Sequence, residues 1–282
     1  MANIGKLAKV RQTVRGDSSK WGAVYCSTSI ANFRDKLARK FNLPKWHFLK
    51  STGKSAAFFG LYNPVDYFRF IWHRGDRTVF WCGGDILNLQ KRPFWQKILR
   101  KLSARHICEN MVEYDALRSM GIEAEVRPCL VDRVEPHPVT FKPSKCPHVY
   151  LCARPGREWE YGVETVELLP LFNPSITYHI YGVNGKSTKR VIYHGEVPVE
   201  QFNKEIDHYH CALRLNEFDG FSEVLANAML RGQYAITKIP YPFMWYTQGI
   251  KSLVAYLDEL TKMKKPNLAG REYWTKELMK PL

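Results

Sequence analysis

The sequence predicts an α/β protein of two domains, each a mostly parallel β-sheet covered by helices. Two observations carry this: short apolar runs alternate with amphipathic segments along the whole chain, and a proline-rich stretch at 133–147 divides the alternation into two series. The length agrees, since 282 residues with 45% hydrophobic content can fill two cores of about 100–150 residues each.

In the first series the expected strands are GAVYC (22–26), WHFLK (46–50), AAFFG (56–60), TVFWCG (78–83), HICEN (106–110) and AEVRPCL (124–130). Helices are expected at 30–41, 63–73, 93–104 and 111–120, the last stopped by Gly121, a residue suited to a helix end. The stretch RVEPHPVTFKPSKCP (133–147) holds four prolines and no helical or alternating pattern, so it reads as an interdomain linker. The second series runs through strands at 148–153, 176–182, 191–197, 210–216 and 234–237, with helices at 161–171, 198–206 and 221–231. Helices at about 249–263 and 271–280 follow.

The formal charge of +15 is unevenly placed. Residues 1–100 carry 19 Lys+Arg against 5 Asp+Glu, whereas 101–282 carry 23 against 22. A basic half of this kind is either a solvated face or a surface for a polyanion, nucleic acid or an acidic membrane. The opening MANIGKLAKV lacks an apolar signal region, and no stretch approaches the roughly 20 apolar residues of a membrane span. The seven cysteines lack disulfide-framework spacing, as expected of buried thiols in a reducing compartment. A soluble, cytoplasmic protein is therefore expected, in the host cytoplasm if the chain is phage-encoded.

The stretch with most chemistry is LRLNEFDGFSEVLANAMLRGQYAIT (213–237): a strand, an Asp-Gly-Phe-Ser turn, a helix, Gly232 and another strand. In an open α/β sheet, ligands sit off the carboxyl ends of strands, where loop N–H groups and a helix N-terminus favour a diphosphate. Gly220 lets backbone approach a ligand closely and Ser222 can cap the helix.

This stretch resembles the donor-site signature of retaining GT-B glycosyltransferases of family 4, a strand followed by E-G-F-G and then E-A-M-A-x-G-x-P-V-I. Asp219-Gly220-Phe221-Ser222 matches the first block, Asn227-Ala228-Met229 the second, and Gly232 the following glycine. Both acidic positions of the family's E-x7-E pattern are changed, to Asp219 and Asn227. YLCARPGREWEYGVETVELL (150–169) is similar to the family's first donor-domain strand and its basic loop, and TVFWCGGDIL (78–87) to its Gly-Gly-Asp element across the cleft. The likeness spans roughly residues 78–237.

The resemblance implies a GT-B fold: two Rossmann-like domains facing each other across a cleft, with the C-terminal helix crossing back. It divides the chain into an acceptor domain at 1–135, a linker at 136–147, a donor domain at 148–255 and helices at 256–282 that pack on the N-terminal domain. It also implies a catalytic pair, Asp219 near the donor sugar and Asp85 in the cleft, with helix capping as the alternative for Asp85. Donor binding falls to Arg154 and Arg157 at the diphosphate, with surface pairing to Glu158 and Glu160 as their alternative. Gly195 is expected under the nucleotide base, Gly220, Phe221 and Ser222 in the loop, and Asn227 at the ribose.

The donor would be a UDP- or other nucleoside-diphosphate sugar, transferred with retention. Without an Asp-x-Asp motif no metal or other cofactor is demanded, and no separated carboxylate pair suggests a hydrolase. Cys146, His148 and Cys152, with His208, His210 and Cys211, match no zinc module and read as packing residues. The basic first hundred residues imply an anionic acceptor: DNA, as in the glycosylation of modified phage bases, or a lipid-linked or polysaccharide acceptor at an acidic membrane. The compact, strongly basic chain tilts the choice toward nucleic acid. With two glutamates replaced, a catalytically silent nucleotide- or nucleic-acid-binding module stands as the competing class.

Overall fold

The computed structural model describes residues 21–33, 36–38, 42–51, 53–130 and 137–280. The basic segment 1–20 and the start of the proline-rich linker lie outside them.

Strands β1 (Ala23–Cys26), β2 (Ala56–Phe59), β3 (Arg77–Phe80), β4 (Arg105–Cys108) and β5 (Glu125–Val126) form one parallel sheet in chain order. Strands β6 (His148–Cys152), β7 (Thr177–Tyr181), β8 (Val191–Gly195), β9 (Cys211–Arg214), β10 (Tyr234–Thr237) and β11 (Trp245–Tyr246) form a second, ordered β11-β10-β9-β6-β7-β8 and also parallel. Two parallel-sheet α/β domains are thus what the alternating pattern anticipates. Runs such as AVYC and AAFF are buried at every position, as parallel strands covered on both faces must be. Each sheet has an apolar cluster on either side, around Phe58 and Trp81 or Phe59 and Phe80 in the first, and around Leu151 and Leu213 or Tyr150 and Leu225 in the second.

The two strand orders differ in a way that matters for function. In the second sheet the chain steps outward from β6 to β7 and β8, then returns to place β9 on the other side of β6. The loops after β6 and β9 therefore leave neighbouring strands in opposite directions, opening a crevice between them.

Three sequence expectations are corrected. WHFLK forms no strand: the residue before it, Lys45, makes a single bridge to Val24, and the chain then turns into the short helix Phe48–Ser51. Trp46 packs edge-on against Tyr25, 5.6 Å between ring centroids, so its indole covers the helix-bearing face instead of extending the sheet. AEVRPCL pairs only at Glu125–Val126, because Pro128 has no N–H to continue a ladder. The helix expected at 30–41 is a 3-10 segment, Thr28–Phe33, broken by non-helical angles at Ile30, with 36–38 helical beyond it. The C-terminal helix Leu268–Leu278 packs on the helix Glu223–Leu230 of the second domain. Arg271 fastens it by donating to the carbonyls of Leu230 and His137.

That packing hinges on Trp274, which is buried, stacks on Phe221 at 4.6 Å and donates its indole N–H to the Pro242 carbonyl. Trp274→Ala is expected to lower unfolding free energy by about 3–5 kcal/mol, measured by urea denaturation; a change below about 1 kcal/mol would mean that the helix is not part of the core.

Candidate active site

The two domains meet along the carboxyl ends of their sheets. Gly83, following β3, lies against the loop after β9: a methyl group on its Cα would come within 2.8 Å of the Gly220 nitrogen. Gly220 is just as confined, since its own Cβ would fall 2.2 Å from the Glu109 carboxylate. Glycine at both positions lets two backbones touch where side chains would hold them apart.

Polar contacts tie the same seam. Glu109, at the end of β4, accepts from the Phe221 N–H (2.8 Å) and the Cys129 N–H (3.3 Å). The Asn110 side-chain amide donates to the Asp219 main-chain carbonyl (2.8 Å) and to the Tyr241 hydroxyl (3.2 Å), while its Oδ1 accepts from the Glu113 N–H. Behind them, burial and the charge of Glu109 push the Glu113 carboxyl well above the usual carboxylate range, which favours its protonated form.

Beside this seam two adjoining cavities of about 800 and 580 Å³ open between the domains. Tyr62, Cys82 and Glu109 line them from the first domain; Arg154, Tyr161 and Asp219 line them from the second. Lys91 and Lys238 stand on the larger cavity from opposite sides.

The residues nominated from sequence divide clearly. Arg154 is exposed and lines both cavities. Asp219 also lines both, its carboxylate gripped by the Arg214 guanidinium through Nε (2.7 Å) and Nη2. Arg214 in turn lies 4.5 Å over the Tyr161 ring, a cation–π contact that fixes the fork. Gly220 and Ser222 line the smaller cavity, and the Ser222 hydroxyl accepts from the Val224 N–H (3.3 Å) as the N-cap of Glu223–Leu230. Glu223 lines this cavity as well.

Others are committed elsewhere. Phe221 contributes to the smaller cavity's wall, but its ring is buried between Trp274 and Tyr241. Arg157 reaches the larger cavity while paired with Glu160, whose hydrogen bond raises its pKa. Asn227 accepts from Arg231 (2.9 Å), itself buried and bonded to Asp207. Asp85 is fully buried, accepting from the N–H groups of Leu61, Cys82 and Ile86. Burial raises its pKa to about 6 despite these bonds. It braces the loops at Leu61 and Cys82 and does not line the cleft. Gly195 lies at the end of β8 beside a separate groove of about 170 Å³ formed by Cys152, Tyr181, Gly182, Val197 and Val199, among others.

Sequence reasoning missed Glu109, Asn110 and Arg214. Glu109 sits at the end of the apolar run HIC, the position where strand-end residues face a ligand; its partner across the cleft, Phe221, lies over a hundred residues away. Of the histidines read as packing residues, His148 heads a hydrogen-bonded ladder, His148 Nδ1 to His179 Nε2 (2.8 Å) and His179 Nδ1 to His194 Nε2 (2.9 Å). Burial lowers the pKa of all three. Among the described residues no group of three or more His, Cys, Asp or Glu side chains is arranged to hold a metal ion.

No protein-family model matches the chain, and no curated protein matches it by sequence. Solved structures do match it in three dimensions. The lipopolysaccharide outer core galactosyltransferase WaaB superposes over 91% of this chain and 96% of its own at a TM-score of 0.60 and 14% identity. HepE of Anabaena, solved with UDP and glucose, superposes over 91% and 95% at 0.60 and 10% identity. S. aureus TarM, solved with UDP among other ligands, superposes over 79% of this chain at 0.55 and 12% identity; the chain spans about half of TarM's length, 51%. At these identities the likeness is one of fold, and on that evidence the chain has the GT-B fold of two facing α/β domains.

Proposed function

We propose that this chain is a glycosyltransferase of the family-4 kind that takes a sugar from a UDP- or other nucleoside-diphosphate sugar and transfers it with retention to an acceptor on the first domain. The observation that carries this reading is the crevice between β6 and β9, which aims Arg154 and Asp219 into one interdomain cleft of about 800 Å³. Its position is that of a ligand at a topological switch point. The ligands in the HepE and TarM structures, UDP in both, support the same donor class.

In this reading the base lies in the groove beside Gly195 and Tyr181, and the diphosphate bridges Arg154 and the N-terminus of Glu223–Leu230. The sugar projects toward Asp219, whose carboxylate is held by Arg214 to accept from its hydroxyls. As the bond from anomeric carbon to phosphate oxygen breaks, its electron pair goes to the leaving diphosphate. Arg154 stabilises that growing charge without transferring a proton. The acceptor hydroxyl adds on the same face and its proton passes to the departing phosphate oxygen, so the reaction calls for no divalent ion. Lys91, exposed on the first domain's side of the mouth, suits an acceptor carried on a polyanion.

Two outcomes follow. Arg154→Ala should weaken UDP binding about tenfold or more, the value of one charge-assisted contact. Arg157→Ala should cost at most about threefold, because Glu160 already neutralises it. Isothermal titration calorimetry separates them, and an Arg154→Ala protein that binds UDP normally contradicts the diphosphate site.

Asp219→Asn should reduce sugar transfer, or acceptor-free release of UDP from the sugar nucleotide, by about a hundredfold while leaving UDP affinity and thermal stability close to those of the parent. A collapse of the melting temperature would make Asp219 a structural cap instead. Background UDP release from the parent itself, across candidate sugar nucleotides and acceptors, would favour the silent binding module.

A further inference from the structure

The helix Pro64–Trp72 is apolar on both sides. Tyr67 and Phe70 are fully buried, yet Val65, Phe68 and Trp72 point the other way, each about half exposed at 53, 49 and 51%. Their spacing of three and four residues makes them one stripe. A surface helix normally carries polar residues there.

The stripe does not stand alone. The Phe68 and Trp72 rings stack at 5.1 Å. At the helix's C-terminal end, Trp46 lies 6.3 Å from the His73 ring and 6.1 Å from Phe48, which is exposed together with Leu49 (80%). Along its flank Tyr67 stacks on Trp95, which meets exposed Phe94 edge-on at 5.1 Å. Strands β1 to β4 advance in one direction across the sheet, so right-handed crossovers put these connecting helices on the same face. The exposed side chains thus belong to one outer surface.

That surface is also basic. Residues 44–101 include eleven Lys and Arg against three Asp, of which Asp66 and Asp85 are buried. Lys45, Lys50, Arg74, Lys91 and Lys97 are exposed among the apolar side chains.

We propose that this face docks the protein peripherally on an anionic lipid bilayer, with lysines and arginines at the headgroups and Phe68, Trp72, Leu49 and Phe94 entering the boundary between headgroups and acyl chains. Mixed cations and exposed Trp, Phe and Leu are the chemistry of such contacts. A nucleic-acid backbone would reward the cations but leave Val65 and Leu49 without an apolar partner. A second copy would set like charge against like. Among the described residues no helix is long and apolar enough to cross a membrane, which leaves surface docking as the helical mode available to them. Docking would also bring the cleft mouth near the bilayer, since Tyr62, next to the helix's first turn, and Lys91 both line the cleft. The inference stands apart from the donor site and needs no sugar nucleotide.

The test is sedimentation of the full chain with vesicles of phosphatidylcholine alone or mixed with phosphatidylglycerol, at physiological ionic strength. The parent should pellet with the anionic vesicles only. Phe68→Glu/Trp72→Glu, and separately Leu49→Glu, should lower apparent vesicle affinity at least about tenfold, with UDP binding and melting temperature unchanged. The proposal is overturned if the parent stays in the supernatant, or if the double variant pellets like the parent, which would assign binding to cations elsewhere. It is equally overturned if light scattering finds a dimer that the double variant abolishes without vesicle binding, or if duplex DNA is the ligand lost with these residues.

Discussion

The close approach of Gly83 to Gly220 is the constraint on which the remaining geometry rests. With no Cβ on either residue, the loop after β3 and the loop after β9 touch backbone to backbone. Glu109 and Asn110 then span the contact by pairing with the backbone of Phe221 and Asp219. A seam drawn this tight on one side leaves the space beside it as a defined cleft. It also orients Asp219, whose main chain is held by the first domain and whose carboxylate is held by Arg214 of its own.

Much of the fold was legible because parallel strands leave a plain trace. Buried on both faces, they appear as uninterrupted apolar runs, and AVYC, AAFF, TVF and HVYLC all became strands. WHFLK looked the same, but a run of aromatic residues reports burial and not backbone pairing. Trp46 fills the helix layer beside Tyr25, and the chain has no further strand to give there. The helix Gly84–Gln90 was legible only as a start, in the capping alternative for Asp85, because the glycines at 83 and 84 and its short length hide its periodicity.

The site was legible to the depth that topology alone determines. Arg154 and Asp219 follow strands that flank the crevice, so their placement in the cleft depends only on strand order. For Asp85 and Asn227 the matching motif fixed the backbone position but not the side chain's surroundings. Asp85 turns inward to accept from the N–H groups of Leu61, Cys82 and Ile86, and Asn227 is taken up by Arg231. Glu109 could not be read at all, since its meaning comes from the other domain. The basic excess of the first hundred residues was visible from composition, whereas the combination of exposed lysines such as Lys50 and Lys97 with Phe68 and Trp72 required the helix to be seen with its outer side uncovered.

The central claim is that a nucleoside diphosphate occupies the crevice between β6 and β9. A crystal structure of the chain grown with UDP tests it most directly. The diphosphate should lie within hydrogen-bonding distance of the Arg154 guanidinium and the first turn of Glu223–Leu230, with the uracil beside Gly195 and Tyr181. UDP bound on another face, or a cleft left empty at millimolar UDP, would contradict it.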